Sequence, residues 1–290
     1  MLTDDLKRQF SALRRGQSAG GERRADRKSA PRELQEYFPE GGGCDTPYGE
    51  VFACQVALGS IFADAARLTE SYREAFRRAR GLAREGALLR HLAPLAEAEV
   101  EGTALIDTET AGWQGRPLFM IGLLRWAEGE LVLSQYFARD YAQEAALLSQ
   151  FAAVLPEIKL LVSFNGKAFD WPFVRDRMVY HRLQWEAEFA HLDLLHCSRS
   201  RWRSRLPNCR LQTLERYLCG RWRSGDVPSA EIPQRYHDFV REQEARLIAP
   251  IFHHNRLDLI TMVEILVVLV GGEGAEVKME EKESGDDAGR

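Results

Sequence analysis

The sequence contains few cysteines and few lysines, and it has no long apolar run. Only five of its 290 residues are cysteines, and no two of them form a C-x-x-C pair. This argues against a disulfide framework and a zinc knuckle, and it favours a reducing compartment. The longest apolar stretch, 257–270, is interrupted by Asp258 and Glu264 and is too short to cross a bilayer. Because residues 1–5 also lack the features of a signal peptide, we predict a cytoplasmic protein that does not enter a membrane.

The charged residues are close to balance, with 39 lysines and arginines against 43 acidic residues and a net charge of −4. A protein that is basic over its whole surface is therefore excluded. Only six of the cations are lysines, so arginine predominates. A guanidinium group is well shaped to bind phosphate, but a codon bias produces the same excess. The local distribution of the arginines is therefore more informative than their number.

Composition divides the chain into four parts. They are a flexible basic arm (1–43), a small N-terminal helical subdomain (44–98), the main domain (99–270) and a disordered acidic tail (271–290). Glycines 41–43 are interpreted as a break that ends the arm. The subdomain is predicted to hold a strand at 47–57 and a helix at about 70–93, which Pro94 ends.

The main domain has a regular alternation of strand and helix patterns. The predicted elements are strands at 103–110, 118–126 and 131–138, a helix at 141–155, a strand at 160–164, a helix at 171–183 and a strand or helix start at 192–195. This order predicts an α/β fold whose mixed sheet has three antiparallel strands followed by parallel strands, flanked by helices. It is the order of a ribonuclease H-like fold.

Two carboxylates lie two positions apart in the first of these strands. Because side chains alternate along a strand, Asp107 and Glu109 are expected on the same side of the sheet. Two like charges side by side repel each other unless a cation lies between them. The alternative is a strand that simply ends in polar turn residues.

A further acid, Asp170, follows the predicted strand at 160–164. It lies in the segment Asn165-Gly166-Lys167-Ala168-Phe169-Asp170 and precedes Trp171-Pro172. The structural alternative is that Asp170 caps the next helix, since aspartate is favoured at that position and proline in the first turn. Lys167 is one of only two lysines between positions 29 and 277. Its compact charge suits contact with a phosphate.

The third acidic position is Asp258, which is predicted to open an apolar helix. A carboxylate on such a helix is costly to bury unless it is paired or bound to a metal. His254 precedes Asp258 by four residues and is therefore expected one turn away on the same face.

Together these segments form D-x-E on a strand, N-x-x-x-F-D after a strand and H-x-x-x-D on a late helix. The set resembles the three motifs of the DEDD superfamily of 3′→5′ exonucleases, and in particular the YprB-like family of predicted exonucleases. The resemblance covers about residues 44–270. It implies a ribonuclease H-like fold and metal-dependent hydrolysis of nucleic acid phosphodiesters.

The resemblance also implies roles for individual residues. Asp107, Glu109, Asp170 and Asp258 are the implied ligands of two Mg²⁺ or Mn²⁺ ions, and His254 is the implied general base. In the superfamily the third motif carries a tyrosine four residues before the aspartate or a histidine five before it. His254 stands at the first of these places and His253 at the second, so His253 is the alternative base.

A basic segment, residues 199–223, contains eight arginines and one acid. Tryptophan and tyrosine are interleaved with them at Trp202, Tyr217 and Trp222. Arginine with aromatics is typical of a groove that binds a nucleic acid strand; the alternative is a solvated helix whose aromatics face the core. The predicted strand-binding residues are Asn165, Lys167, Arg201, Arg203 and Arg210. The predicted partner is DNA or RNA, with a single-stranded 3′ end.

Three other functions remain open. The first is a ribonuclease H-like module that binds nucleic acid with little or no turnover, and the second is a structure-specific endonuclease. The third is a helical adaptor whose N-terminal arm and arginine-rich helix recruit a partner protein. Asp193, in His191-Leu192-Asp193-Leu194-Leu195-His196, is interpreted as a structural acid rather than a ligand of a histidine metal site.

Overall fold

A single mixed sheet of seven strands organises the computed structural model, which describes residues 34–112 and 115–271. The strands are β1 Gly41–Thr46, β2 Gly49–Ala57, β3 Thr103–Thr110, β4 Leu118–Ala127, β5 Glu130–Phe137, β6 Leu160–Ser163 and β7 Ala190–Asp193. Their spatial order is β1-β2-β5-β4-β3-β6-β7. The first five pair antiparallel, whereas β6 is parallel to β3 and β7 is parallel to β6. The predicted mixed sheet is therefore confirmed.

Helices cover both faces of the sheet. They are α1 Leu34–Tyr37, α2 Leu58–Ile61, α3 Ala65–Arg84, α4 Ala93–Glu97, α5 Glu144–Val154, α6 Asp170–Tyr180, α7 Leu194–Trp202, α8 Leu211–Cys219, α9 Ile232–Glu242 and α10 Ala245–Leu269. Short 3₁₀ helices lie at Arg90–Leu92, Tyr141–Gln143 and Leu155–Glu157. No helix in this part of the chain is long and apolar enough to cross a membrane.

The sheet has an apolar core on each face. Strand β3 supplies Ala104 and Ile106 to one core and Leu105 to the other, because successive side chains of a strand point to opposite faces. Helices α5, α6 and α9 pack in the first core, and helices α3, α7 and α8 pack in the second.

Helix α10 belongs to both cores. Ile251 and Phe252 pack in the first core, whereas Leu259 and Met262 pack in the second. The middle of the helix, around Asp258, therefore lies where the two cores meet beside the sheet. The prediction that Asp258 opens a helix is wrong. Helix α10 begins at Ala245, and Asp258 lies near its middle.

The division of the N-terminal half differs from the prediction. Strand β2 pairs with β5 and β1 pairs with β2, so both strands belong to the main sheet and not to a separate helical subdomain. Glycines 41–43 lie in β1 rather than in the arm. A Cβ at Gly41 would overlap the ring of Phe52, and one at Gly43 would meet the carboxylate of Glu50. Glycine at position 41 therefore allows the close approach of Phe52, and the three glycines continue the strand and do not break it.

Two further boundaries differ. The long helix predicted at about 70–93 is α3, which ends at Arg84, and Pro94 lies in the first turn of α4 rather than at the end of α3. Residues 1–33 of the predicted arm and residues 272–290 of the predicted tail lie outside the described residues.

Candidate active site

Asp107 and Glu109 lie side by side on β3, on the face that the alternation predicts. Glu109 is only 8% exposed. Burial raises the pKa of Asp107 well above its ordinary value, and the charges of Asp258 and Asp170 raise it further. Burial likewise raises the pKa of Glu109 well above its usual range, and the charge of Asp107 adds to the effect. These mutual effects show that β3, α6 and α10 bring their acids to one place.

Asp170 is the first residue of α6, and its side chain points at β3. The helix is capped by Phe169 without a side-chain hydrogen bond, so Asp170 is not the capping residue that the structural alternative requires. Instead, the hydroxyl of Thr108 donates to the Asp170 carboxylate at 2.5 Å. Burial raises the pKa of Asp170 to about 6, against the hydrogen bond from Thr108, which lowers it.

The loop that leads to Asp170 is fixed by Asp193. Its buried carboxylate accepts from the backbone N–H groups of Asn165, at 2.8 Å, and Lys167, at 3.2 Å. Asn165 has a left-handed backbone, with φ of 68°. A Cβ at Gly166 would lie 2.9 Å from Asp170 Oδ2, so only glycine leaves the carboxylate its room. Asp193 thus has the structural role that the sequence indicates.

His254 and Asp258 share one face of α10, as predicted from their spacing. Nε2 of His254 is 3.5 Å from Asp258 Oδ2, and Nδ1 of His254 is 2.8 Å from Asp226 Oδ1. Burial opposes protonation of His254, but the hydrogen bond to Asp226 and the charge of Asp258 raise its pKa. Burial lowers the pKa of His253 to about 4. Of the two histidines, His254 is therefore the one in direct contact with the acids.

Arg223 and Asp226 are site residues to which the sequence reasoning gave no role in the acidic cluster. Arg223 is 7% exposed and forms ion pairs with Glu215 at 2.5 Å, Asp226 at 3.1 Å and Asp258 at 2.5 Å. The sequence places Arg223 among the arginines of a possible strand-binding groove. In the structure its positive charge is neutralised by these three carboxylates. The spacing of Arg223 and Asp226, three residues apart, is the one feature of the sequence that could have predicted an ion pair between them.

Asn255, on α10, also contacts Asp107 over the same face of the sheet. Its amide donates to the Asp107 carboxylate at 2.8 Å and to the Asp107 carbonyl at 3.2 Å. Gln135 in turn donates to Asn255 Oδ1 at 2.9 Å. Asp107 pairs with Gly122 of β4, and a Cβ at Gly122 would overlap the Asn255 amide. The absence of a side chain at Gly122 is what lets Asn255 reach Asp107.

The predicted strand-binding residues divide into two groups. Arg201, Arg203 and Arg210 are exposed on and after α7, and Lys167 is exposed beside the loop to Asp170. In the described part of the chain, none of these three arginine side chains contacts the acidic cluster. Trp202 is fully buried in the second core and cannot stack on a base, which corrects its interpretation as a groove residue. Arg221 is not available to bind a phosphate either, because it forms ion pairs with Glu215 and Glu264.

The acidic cluster has the donor chemistry of a divalent metal site. Asp107, Glu109, Asp170 and Asp258 supply only carboxylate oxygens, which suit Mg²⁺ or Mn²⁺ better than zinc. Burial raises the pKa values of Asp107, Glu109 and Asp170, and neighbouring acids raise them further; a bound cation would oppose both effects. Among residues 34–112 and 115–271, however, no three histidine, cysteine or acidic side chains are already arranged to hold an ion. The oxygens are engaged instead by Asn255, Thr108 and Arg223.

The fold and the acidic cluster agree with the comparison to known families. Residues 104–270, more than half of the chain, match the RNase H superfamily, and the chain belongs to this superfamily of nuclease-like folds. The chain is 34% identical over 166 residues to an uncharacterized protein, YprB, from Bacillus subtilis (strain 168). The match covers 56% of this chain and 40% of that relative, so the chain spans less than half of its length. The predicted YprB-like family and ribonuclease H-like fold are therefore confirmed.

A solved structure is also similar. It is the family B DNA polymerase from the hyperthermophilic archaeon Pyrobaculum calidifontis, with 14% sequence identity and a TM-score of 0.44. The similar region covers 56% of this chain and 23% of the polymerase.

Proposed function

We propose that this protein is a metal-dependent 3′→5′ exonuclease that hydrolyses phosphodiester bonds of nucleic acid. The observation that carries the proposal is that β3, α6 and α10 bring together Asp107, Glu109, Asp170 and Asp258: Thr108 of β3 contacts Asp170, and Asn255 of α10 contacts Asp107. A structural protein gains nothing from collecting four carboxylates, because like charges oppose folding. Membership of the RNase H superfamily supports nucleic acid as the substrate and a divalent ion as the cofactor.

The four carboxylates would hold two Mg²⁺ or Mn²⁺ ions. When bound, such ions activate water and neutralise the charge that develops on the phosphate. The chain's own residues keep the carboxylates in place: Asn255 orients Asp107, and Thr108 orients Asp170.

His254 would act as the general base. Its Nδ1 is held by Asp226, which leaves Nε2 on the side of Asp258 to take a proton from the attacking water. Lys167 and Asn165 would contact the phosphate at the loop, and Arg201, Arg203 and Arg210 would hold the backbone farther along the strand.

The test uses 5′-labelled single-stranded DNA and RNA with Mg²⁺ or Mn²⁺, and compares the wild type with Asp107→Ala. The matched control is Asp176→Ala, which removes an exposed acid of α6 outside the cluster. We expect a metal-dependent ladder that shortens from the 3′ end, is blocked by a 3′-phosphate, survives in the control and is absent in Asp107→Ala. Internal cuts on the blocked substrate would change the activity to that of an endonuclease.

One observation favours a second function, a nucleic-acid-binding module without turnover. Arg223 pairs with Asp258 at 2.5 Å and so provides that carboxylate with a cation of the protein's own. Binding of DNA or RNA with no cleavage by the wild type in either metal would support this module over the exonuclease.

A further inference from the structure

A cavity of about 600 Å³ opens directly beside the acidic cluster. Arg223 and Asp226 form part of its wall, and the same two side chains contact Asp258 and His254. A ligand in the cavity is therefore separated from the proposed catalytic residues by a single layer of side chains.

The lining of the cavity also includes an exposed tryptophan. Trp222 is 59% exposed, whereas Trp202 of the same arginine-rich segment is fully buried. The guanidinium of Arg216 lies 3.6 Å from the centroid of the Trp222 ring. This stacking restricts the orientation of the indole and places a positive charge beside it.

The composition of the cavity fits a nucleobase better than a phosphate alone. Flat apolar surface comes from Trp222 and from Pro207, Val227 and Pro228, and a base has the same flat, weakly polar faces. Asn208 and Gln212 line the same space and carry amide groups of the kind that hydrogen-bond to base edges. A phosphate is bound by charged and polar groups, so a site for phosphate alone would not need these apolar side chains.

Exposed cations flank the lining residues Pro207 and Asn208 in the sequence. Arg201, Arg203 and Arg210 are exposed, and within residues 34–112 and 115–271 no acidic side chain forms an ion pair with them. They provide positive charge for the sugar-phosphate backbone of a strand whose base enters the cavity.

We propose that this cavity is a base-binding subsite, in which Trp222 stacks on one unpaired nucleobase of a single-stranded substrate near the bond to be cut. The proposal deepens the proposed exonuclease function and rests on it for the identity of the strand. It assigns single-stranded nucleic acid as the substrate class, because a base within a duplex is already stacked on both faces.

The test measures binding in EDTA, so that hydrolysis does not occur. The probes are a fluorescein-labelled twelve-residue oligothymidylate and a chain of the same length made of abasic sugar-phosphate units. The proteins are the full chain, Trp222→Ala, Trp222→Phe and the control Tyr180→Ala. Tyr180 is an exposed ring at the end of α6 with Arg177 stacked on it at 4.3 Å, so the control removes a similar arginine–aromatic pair outside the cavity.

We expect Trp222→Ala to weaken oligothymidylate binding about tenfold, which is within the usual effect of one stacked base. Its affinity for the abasic chain should be unchanged, Trp222→Phe should keep most of the affinity, and Tyr180→Ala should behave as the wild type. Equal losses on both probes, or no loss on either, would overturn the proposal. Thermal unfolding of each variant excludes a general loss of the fold.

A second measurement locates the base and separates the two proposals. Single abasic sites are moved from the 3′ end of the oligonucleotide, and binding should fall at one position in the wild type and at none in Trp222→Ala. If binding depends on Trp222 in this way but no metal cleaves the strand, only the exonuclease proposal fails. If the strand is cleaved but the abasic sites have no effect, only the base-binding subsite fails.

Discussion

The side-chain amide of Asn255 donates to the carboxylate of Asp107 at 2.8 Å and to its backbone carbonyl at 3.2 Å. Asn255 is fully buried, and Gln135 fixes the other end of its amide. A neutral donor at this point orients Asp107 without neutralising it. The carboxylate therefore has no positive charge from Asn255 that would compete with a metal cation.

Replacing Asn255 should weaken metal binding more than it weakens the fold. We expect Asn255→Leu to lower the affinity for Mn²⁺ about 10- to 100-fold, as is typical when a hydrogen bond to a metal ligand is lost. Titration calorimetry at pH 7.5 measures this affinity. The companion Asn255→Asp keeps an acceptor for Gln135 but removes the donor to Asp107. An unchanged Mn²⁺ affinity in both variants would show that Asn255 does not position Asp107.

A side chain at Gly122 should displace Asn255. A Cβ there would overlap the Asn255 amide, so we expect Gly122→Ala to cost about 1–3 kcal/mol of stability, the usual effect of overpacking a core. The control is Gly42→Ala in β1, where nothing lies within 4 Å of the added carbon. Urea unfolding measures both. Equal stability of the two variants would contradict the close approach at Gly122.

Removing Arg223 should leave several buried acids without their cation. Arg223 is paired with Glu215, Asp226 and Asp258, and we expect Arg223→Met to cost about 3–5 kcal/mol, as when one partner of a buried ion pair is lost. The exposed Arg241 is the control, since losing a surface pair costs about 0–1 kcal/mol. Chemical denaturation at pH 7.5 measures the difference. A loss as small as that of Arg241→Met would mean that solvent screens the Arg223 network.

The contribution of Asp170 to stability without metal should fall as pH rises. Burial raises the pKa of Asp170 from 3.8 to about 6, so the folded protein holds this proton more tightly than the unfolded chain. Its stabilising contribution is therefore complete below pH 3.8 and is lost as pH rises through 6. The raised pKa values of Asp107 and Glu109 act in the same direction.

Calorimetric melting in EDTA between pH 4 and pH 8 checks this expectation. Asp170→Asn should flatten the decline, whereas the control Asp176→Asn should not. Mg²⁺ favours the ionised carboxylates, so it should raise the melting temperature more at pH 8 than at pH 5. The same pH dependence of the melting temperature in the wild type and in Asp170→Asn would contradict this role of Asp170.

Local patterns were sufficient to predict the sheet and the four acids. Strand β3 was predicted with the bounds that it has, because an apolar run at 104–106 leads into a polar segment. The alternation of side chains along a strand placed Asp107 and Glu109 on one face. The spacing of His254 and Asp258 placed them on one face of a helix, since a helical turn brings the fourth residue back to the same side.

The remaining parts of the site depend on contacts between distant segments. Nothing near Arg223 in the sequence shows that its charge is neutralised by Asp258, 35 positions later, rather than by a phosphate. Asn255 can donate to Asp107 only because Gly122 leaves room for its amide, and this contact exists only once α10 packs on β4. The sequence around either residue does not show it. Glycines 41–43 were misinterpreted because a glycine run indicates a break unless the neighbouring strand is known to fill the space above it.

The contact between Asn255 and Asp107 joins residues that are 148 positions apart. Since a polypeptide is synthesised from its amino end, Asp107, Glu109 and Asp170 leave the ribosome before the helix that carries Asp258. Until α10 packs between the two cores, these three acids have neither their orienting amide nor their fourth member. The cluster of four acids is therefore complete only after the last long helix of the described chain has been synthesised and has packed against the sheet.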